Sequence, residues 1–342
     1  MKYNLLLAVA LLCSQSAVTG AEKTLTVAAD GSGQFTTVQE AVAAVADNSP
    51  DRTVIHIKPG RYLGPVLVSK AKGKITFQGD DAAKTILTYG LNVYESEEVS
   101  PGNKARPPLG KYYNGIGVVI LADDFQAHGI TFETTSGDHG QALALRIDAD
   151  RAELKACRLL GWQDTLMVNN GRQYFQDCYI EGRVDFIYGG GTAVFDRCQI
   201  HSKNGGYVTA ASTPEEQPYG FVFLHCRLTG DPTSWSNPWP DPSSPSARAG
   251  APKAFLGRPW RSHASVAFLN CEMGDHIHPE GWNNWGNPEN EKTARFLEYN
   301  STGPGGDPKS RVPWSKQLAK DEAEAMTIEA ILSGSDGWDP TK

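Results

Sequence analysis

The sequence has no excess of positive charge and no stripe of basic residues. It has 342 residues, with 32 Lys and Arg against 39 Asp and Glu, and its net charge is −7 near neutral pH. Proteins that bind nucleic acid normally carry a basic patch on one face, so this class of function is excluded. A polyanionic substrate would have to be held by a few local positive contacts.

The sequence also lacks a long apolar run, which excludes a membrane-spanning helix. The apolar run at residues 5–12 follows Lys2 and is shorter than the roughly 20 residues that cross a bilayer. Small residues come next, so we predict that residues 1–21 are a secretory signal peptide and that the protein is secreted or periplasmic. A lipid anchor on Cys13 is a weaker alternative, because Leu12 stands where a small residue is usual.

The chain has no CxxC pair, and outside the predicted signal peptide its cysteine count is odd. The five cysteines are Cys157, Cys178, Cys198, Cys226 and Cys271. An odd number in an exported protein cannot all pair internally, and the missing CxxC argues against a structural metal. Each cysteine is followed two positions later by Ile, Leu or Met. We interpret all five as buried small hydrophobic residues.

Long helical periodicity is largely absent between residues 54 and 300, which argues against a helical fold. Short apolar segments ending in the cysteine motif recur instead, after 21, 20 and 28 residues. This spacing is typical of a solenoid. We predict an all-β fold, a parallel β-helix, in which residues 22–342 form one domain. Longer gaps at residues 92–114 and 231–252 predict two long loops.

Both ends of a solenoid need covering. Thr37 and Glu40 form a capping-box pattern, which predicts a short helix at residues 38–46 over the N-terminal end. A mostly helical tail around residues 315–332 is expected to pack at the other end or along the side.

Two aspartates occupy matching places in successive repeats. Asp164 follows Cys157 by seven residues, and Asp185 follows Cys178 by seven. Stacked coils lie about 4.8 Å apart, so the two carboxyl groups should lie one above the other. Like charges at that distance cannot easily both ionise, which gives an acid and a nucleophile or base from one residue type. The alternative is a pair of solvated turn aspartates.

Several blocks, in order, resemble the pectin methylesterases, carbohydrate esterase family 8. They are GSGQFTT (31–37), QALALR (141–146), GWQDTL (161–166), VDFIYG (184–189), LGRPW (256–260), EYN (298–300) and GPG (303–305). The resemblance runs along nearly all of the chain after the predicted signal peptide. It implies a right-handed parallel β-helix, and so supplies a handedness that the repeat alone does not give.

The resemblance also implies a role for each residue of a catalytic set. Asp185 matches the nucleophile and Asp164 the general acid. Gln141 and Gln163 match the amide donors of an oxyanion hole, and Arg258 matches the guanidinium that keeps the nucleophile ionised. This chemistry requires neither a metal nor another cofactor, and no serine–histidine–acid motif competes with it.

Four further residues are expected at the sugar-binding cleft. Trp260 and Tyr188 match aromatic positions of the family, although either could be a core residue. Met167 stands where the family frequently has tyrosine. Arg183 stands where the family often has threonine, and it could bind a free carboxylate on a neighbouring uronate or lie on the surface.

The implied activity is hydrolysis of C6 methyl esters on polygalacturonate, with methyl-esterified pectin as the binding partner and a monomer as the expected form. A methylesterase acting on another uronic-acid polymer, such as rhamnogalacturonan, is the alternative within the family. A non-catalytic carbohydrate-binding β-helix is the alternative of another class, but it would not need two glutamines, two aspartates and an arginine together.

Overall fold

The computed structural model describes residues 23–95, 115–231 and 253–342. The predicted signal peptide and most of both predicted loops lie outside the described residues. Within the described part, short strands are joined by tight turns. No helix there combines the length and apolar character needed to cross a membrane.

The strands stack as successive coils. In chain order they are β1 (Lys23–Val27), β2 (Thr53–Ile57), β3 (Gly60–Leu63), β4 (Val66–Val68), β5 (Ile75–Gly79), β6 (Thr85–Tyr89), β7 (Ile116–Ile120), β8 (Gln126–His128), β9 (Thr131–Thr134), β10 (Leu143–Asp148), β11 (Ala152–Lys155), β12 (Arg158–Leu160), β13 (Leu166–Asn170), β14 (Arg172–Gln176), β15 (Tyr179–Gly189), β16 (Thr192–Asp196), β17 (Gln199–Ala211), β18 (Phe221–Leu224), β19 (Arg227–Gly230), β20 (Ala254–Pro259), β21 (Ser265–Leu269), β22 (Glu272–Met273), β23 (Arg295–Tyr299) and β24 (Lys316–Gln317). The helices include α1 (Val38–Ala44), α2 (Lys320–Glu324) and α3 (Ile328–Leu332), with 3₁₀ turns at Pro288–Lys292 and Pro308–Ser310.

Three parallel faces form the solenoid. The first face has the order β1-β2-β5-β8-β11-β14-β16-β18-β21-β23-β24. The second contains β3, β6, β9, β12, β19 and β22, and the third contains β4, β7, β10, β13 and β20. The long strands β15 and β17 bend around a corner, so they belong to both the second and the third face. This is the predicted parallel β-helix.

A repeated left-handed residue turns the chain from the first face to the second. Ala156, Asp177, Arg197, His225 and Asn270 all have φ between 50° and 55°. Few L-residues adopt this conformation, so its repetition shows that the stacked coils impose the turn geometry on whatever residue occupies it. The cysteine that follows each one then points into the core.

All five described cysteines are buried and unpaired, as predicted. Each thiol lies 3.2–3.6 Å from a backbone carbonyl oxygen of the preceding coil, to which it can donate a hydrogen bond. Beside this column, Phe175, Phe195, Phe223 and Phe268 stack with ring centroids 4.7, 4.5 and 4.4 Å apart. Equivalent positions in successive coils therefore form continuous ladders inside the helix.

The N-terminal end is covered as predicted. Thr37 and Glu40 form the reciprocal capping box, and α1 buries Val38, Ala41 and Val42 against the core.

The C-terminal tail differs from the prediction at its start. Residues 316–317 form strand β24, which pairs with β23 and so satisfies backbone groups at the edge of the first face. Only α2 and α3 are helical, and they lie along the side. Ala323, Ile331 and Leu332 pack there against outward-facing residues of the first face such as Tyr174 and Val194.

The cysteine ladder predicts that all five thiols resist alkylation in the folded protein. Burial raises the pKa of Cys157, Cys178, Cys198 and Cys226 well above its ordinary value, so little reactive thiolate forms. Iodoacetamide should label none of the five before unfolding in guanidinium and all of them afterwards, as read by peptide mass spectrometry. The exposed variant Ser262→Cys is the reactive control. Labelling of a ladder cysteine in the folded protein, or a disulfide between two of them, would contradict the prediction.

Candidate active site

One outward-facing row on the third face contains several of the predicted site residues. Backbone register links Leu67, Val119, Arg146, Met167, Tyr188, Ala210 and Arg258 as neighbours across successive strands. Side chains at one register position of a parallel sheet project from the same face. Met167, Tyr188 and Arg258 therefore belong to one surface that runs along the solenoid axis.

The two aspartates lie at the corner where the second face meets the third. Asp164 has φ 66° and Asp185 φ 51°, so both adopt the left-handed turn conformation in adjacent coils. The Asp164 backbone N–H donates to the Val184 carbonyl at 3.1 Å. Gln163 directly precedes Asp164 in the same coil and forms a parallel bridge with Gln141 of the coil before. Three successive coils thus bring the two predicted amide donors and the two predicted acids to one corner.

Arg258 binds Asp185 through two parallel hydrogen bonds. Its Nε donates to Oδ1 at 2.9 Å and its Nη2 donates to Oδ2 at 2.7 Å. The guanidinium lies between two aromatic rings, 3.9 Å from the Tyr207 centroid and 3.7 Å from the Trp285 centroid. Bidentate pairing and stacking on both sides fix the cation in place.

The electrostatics of the two acids differ because of this arginine. Burial and the nearby charge of Asp185 raise the pKa of Asp164 well above its ordinary value, and Arg258 offsets only part of the rise. Burial also raises the pKa of Asp185, but there the hydrogen bonds and charge of Arg258 oppose it directly. Ionisation is therefore easier for Asp185 than for Asp164.

An apolar surface lies beside this pair. Tyr188 is 9% exposed and meets Trp260 edge-to-face, with ring centroids 5.7 Å apart. The same cluster contains Leu67, Ile116, Val119, Leu143 and Ala210, with Met167, Trp260 and Leu121 packed against it. Trp260 and Met167 remain half-buried, so each has apolar surface available to a ligand.

Arg183 is largely enclosed and pairs with a carboxylate of the protein itself. Its Nη1 donates to Asp138 Oδ2 at 2.6 Å, and the two side chains are only 12% and 13% exposed. The structure thus gives this predicted carboxylate-binding residue an internal carboxylate partner.

No cluster of three or more His, Cys, Asp or Glu side chains suited to hold an ion is found among residues 23–95, 115–231 and 253–342. The groups available at the corner are two carboxyl groups of unequal acidity, one fixed cation and two amides.

The pectinesterase family model matches residues 24–335. The chain belongs to the pectinesterase family. Pectinesterase 31 of Arabidopsis thaliana is 42% identical over 300 residues, which covers 87% of this chain and 88% of that protein. The solved pectin methylesterase from carrot matches with a TM-score of 0.79 at 32% identity, covering 94% of this chain and 96% of that chain. A pectin methylesterase solved in complex with hexasaccharide VII matches with a TM-score of 0.72 at 27% identity, covering 94% of this chain and 100% of that chain.

These comparisons confirm the family resemblance and the parallel β-helix. The pectinesterase match contains every predicted site residue, but the roles of the individual residues stay predictions.

Two aromatic residues of this pectinesterase site are not predicted from the sequence. Tyr207 and Trp285 enclose Arg258, yet neither belongs to a block that carries the resemblance. Trp285 has φ 61° and is 38% exposed, which is unusual for a large aromatic residue. The sequence feature that could have pointed to Trp285 is its position in a turn, three residues after Trp282 and directly before Gly286.

The raised pKa of Asp164 predicts how stability depends on pH. Between the ordinary value of 3.8 and the raised folded pKa, the folded state keeps a proton that the unfolded state has lost. The free energy of unfolding therefore falls as pH rises through this window, by up to about 1.4 kcal/mol per pH unit. Asp164→Asn cannot titrate, so its stability relative to the parent should increase with pH in urea unfolding.

Asp177→Asn is the matched control, because Asp177 is exposed and also adopts the left-handed conformation, with φ 52°. A stability difference between Asp164→Asn and the parent that stays constant from about pH 4 to about pH 7 would show that Asp164 is not held protonated.

Proposed function

We propose that the protein hydrolyses C6 methyl esters of polygalacturonate in pectin and releases methanol. The observation that carries this proposal is the asymmetric acid pair, in which Arg258 forms two hydrogen bonds with Asp185 beside the buried Asp164 of the adjacent coil. Membership in the pectinesterase family supports the reaction class. The hexasaccharide bound to a related pectin methylesterase supports an oligosaccharide ligand.

In the first step, an oxygen of Asp185 attacks the ester carbonyl carbon and forms an acyl-enzyme anhydride. Negative charge develops on the carbonyl oxygen, and the side-chain amides of Gln141 and Gln163 donate hydrogen bonds to it. The C–O bond to the methoxy group then breaks. Asp164 gives its proton to the departing oxygen, and methanol leaves.

In the second step, water cleaves the anhydride. Asp164, now a carboxylate, takes a proton from the water as its oxygen attacks the uronate carbonyl carbon. The bond to Asp185 breaks and its electron pair returns to that carboxylate, beside Arg258. The product is a free uronic acid, which ionises, and Asp164 is protonated again.

The row beside the acid pair suits a chain of sugar rings. Trp260 presents aromatic surface and packs against the buried Tyr188 ring, and Met167 presents a flexible apolar side chain in the same row as Tyr188. We place the uronate units along this row, with the reacting ester above the Asp164–Asp185 corner.

Export fits this substrate. A plant cell-wall polymer lies outside cells, and the predicted signal peptide at residues 1–21 would deliver the protein to the secreted or periplasmic space.

The proposal is tested by methanol release from methylated pectins, methylated rhamnogalacturonans and short methyl oligogalacturonates. Asp185→Asn should reduce the rate by at least about 10³-fold on the preferred substrate, because it removes the nucleophile. Asp177→Asn, the matched left-handed aspartate one corner earlier, should keep the parent rate. Full activity of folded Asp185→Asn would rule out Asp185 as the nucleophile. A higher rate on methylated rhamnogalacturonan than on pectin would mean that rhamnogalacturonan, and not polygalacturonate, is the substrate.

Arg258 is expected to set the acid limb of the pH–rate profile. Its charge lowers the pKa of Asp185, so Arg258→Ala should raise that pKa and move the acid limb to higher pH. The profile should be recorded on one substrate for the parent, Arg258→Ala and Arg227→Ala, where Arg227 is exposed on the second face. An unshifted acid limb with a normal rate would mean that Arg258 does not hold the nucleophile.

A further inference from the structure

We infer that Arg183 is a positioning residue, which together with Asp138 holds the loop that presents Gln141 against the strand that presents Asp185. The inference rests on the proposed function, because it assigns to this pair the placement of one oxyanion donor relative to the nucleophile.

The Arg183–Asp138 contact crosses the site from coil to coil. Arg183 lies two residues before Asp185 in β15, and its backbone N–H donates to the Trp162 carbonyl of the preceding coil at 2.7 Å. Its side chain reaches one coil further and meets Asp138, 45 positions away in sequence. The contact therefore spans the coil that contains Gln163 and Asp164.

Asp138 lies in the turn between β9 and β10, three residues before Gln141. Gly137 and Gly140 flank it with φ 76° and 130°, values that give this turn a backbone unlike a strand. The Asn92 side chain donates to the His139 carbonyl at 3.3 Å and so holds the side of the turn facing the earlier coil. On the other side of the same turn, Asp138 accepts a hydrogen bond from Arg183, which belongs to the coil of Asp185.

The geometry of the Arg183–Asp138 pair suits a positioning role better than ligand binding. Both side chains are nearly buried, and a half-broken buried pair leaves an uncompensated charge, so the two groups hold each other strongly. The single N–O contact uses one guanidinium nitrogen, while Arg183 Nε is buried without a hydrogen-bond partner among the described residues.

Placement of Gln141 matters mainly in the transition state. An oxyanion donor must lie within hydrogen-bond distance of an oxygen that becomes charged only during reaction. A shift of a few tenths of an ångström in the Gln141 turn would therefore lower kcat and leave KM nearly unchanged.

The test is a double-mutant cycle between Arg183 and Gln141, measured as kcat and KM for methanol release. Gln141→Ala alone should lower kcat by about 100-fold, and Arg183→Met alone by about 10-fold with KM changed by less than about twofold. If Arg183 acts by placing Gln141, the double variant should be no slower than Gln141→Ala. Arg183→Lys, which keeps one cationic donor, should restore most of the rate.

Arg227→Met, which breaks an exposed pair, is the control and should keep the parent kcat. Circular dichroism must show that each variant is folded at the assay temperature, and Asp138→Asn replaces Arg183→Met in the cycle if the latter unfolds. Losses that multiply in the double variant would overturn the inference, as would a raised KM at normal kcat. Failure of the proposed function gives a different result, because the parent protein itself would then release no methanol. That result would contradict both the proposed function and the positioning role of Arg183.

Discussion

Parallel backbone pairing between successive coils is the constraint on which the rest of the structure depends. It repeats one turn geometry regardless of residue type, so Ala156 and Arg197 adopt the same left-handed conformation as Asp177 and Asn270. The ladders of cysteines and phenylalanines follow from that repetition. So does the site, because Asp164 and Asp185 are brought together by a stacking that would place any two residues there.

Stacking alone gives two equivalent acids, and equivalent acids cannot divide a reaction between them. The asymmetry comes from Arg258, which lies near the end of β20 and makes its two carboxylate hydrogen bonds with Asp185. Tyr207 and Trp285 hold the guanidinium on both faces, which limits its ability to turn toward Asp164. The repeat makes Asp164 and Asp185 equivalent. Arg258, a cation from a later coil, makes them different, so the two acids can have distinct roles.

The sequence predicts those features that depend on the repeat. The cysteine motif predicts the unpaired buried ladder, and its spacing to the aspartates predicts their common corner. Features set by contacts across several coils are not predictable in the same way. Trp285 reaches Arg258 from a turn with its own geometry, and Asp138 meets Arg183 two coils away. Residues 316–317 form a strand within the tail that the sequence predicts to be mostly helical, because their short polar sequence does not reveal the sheet edge that they pair with.

Arg183 departs from the family pattern, which often has threonine at this position. This departure can be interpreted only together with the ion-pair partner of Arg183, Asp138. A threonine at position 183 would leave Asp138 as a buried carboxylate without its cation, and an arginine there without Asp138 would be an unpaired buried charge. Each residue alone would destabilise the corner. Together they connect the coil of Gln141 to the coil of Asp185 across the acid between them. The two residues are therefore one structural feature, and substitution of either should be judged by what it does to the other.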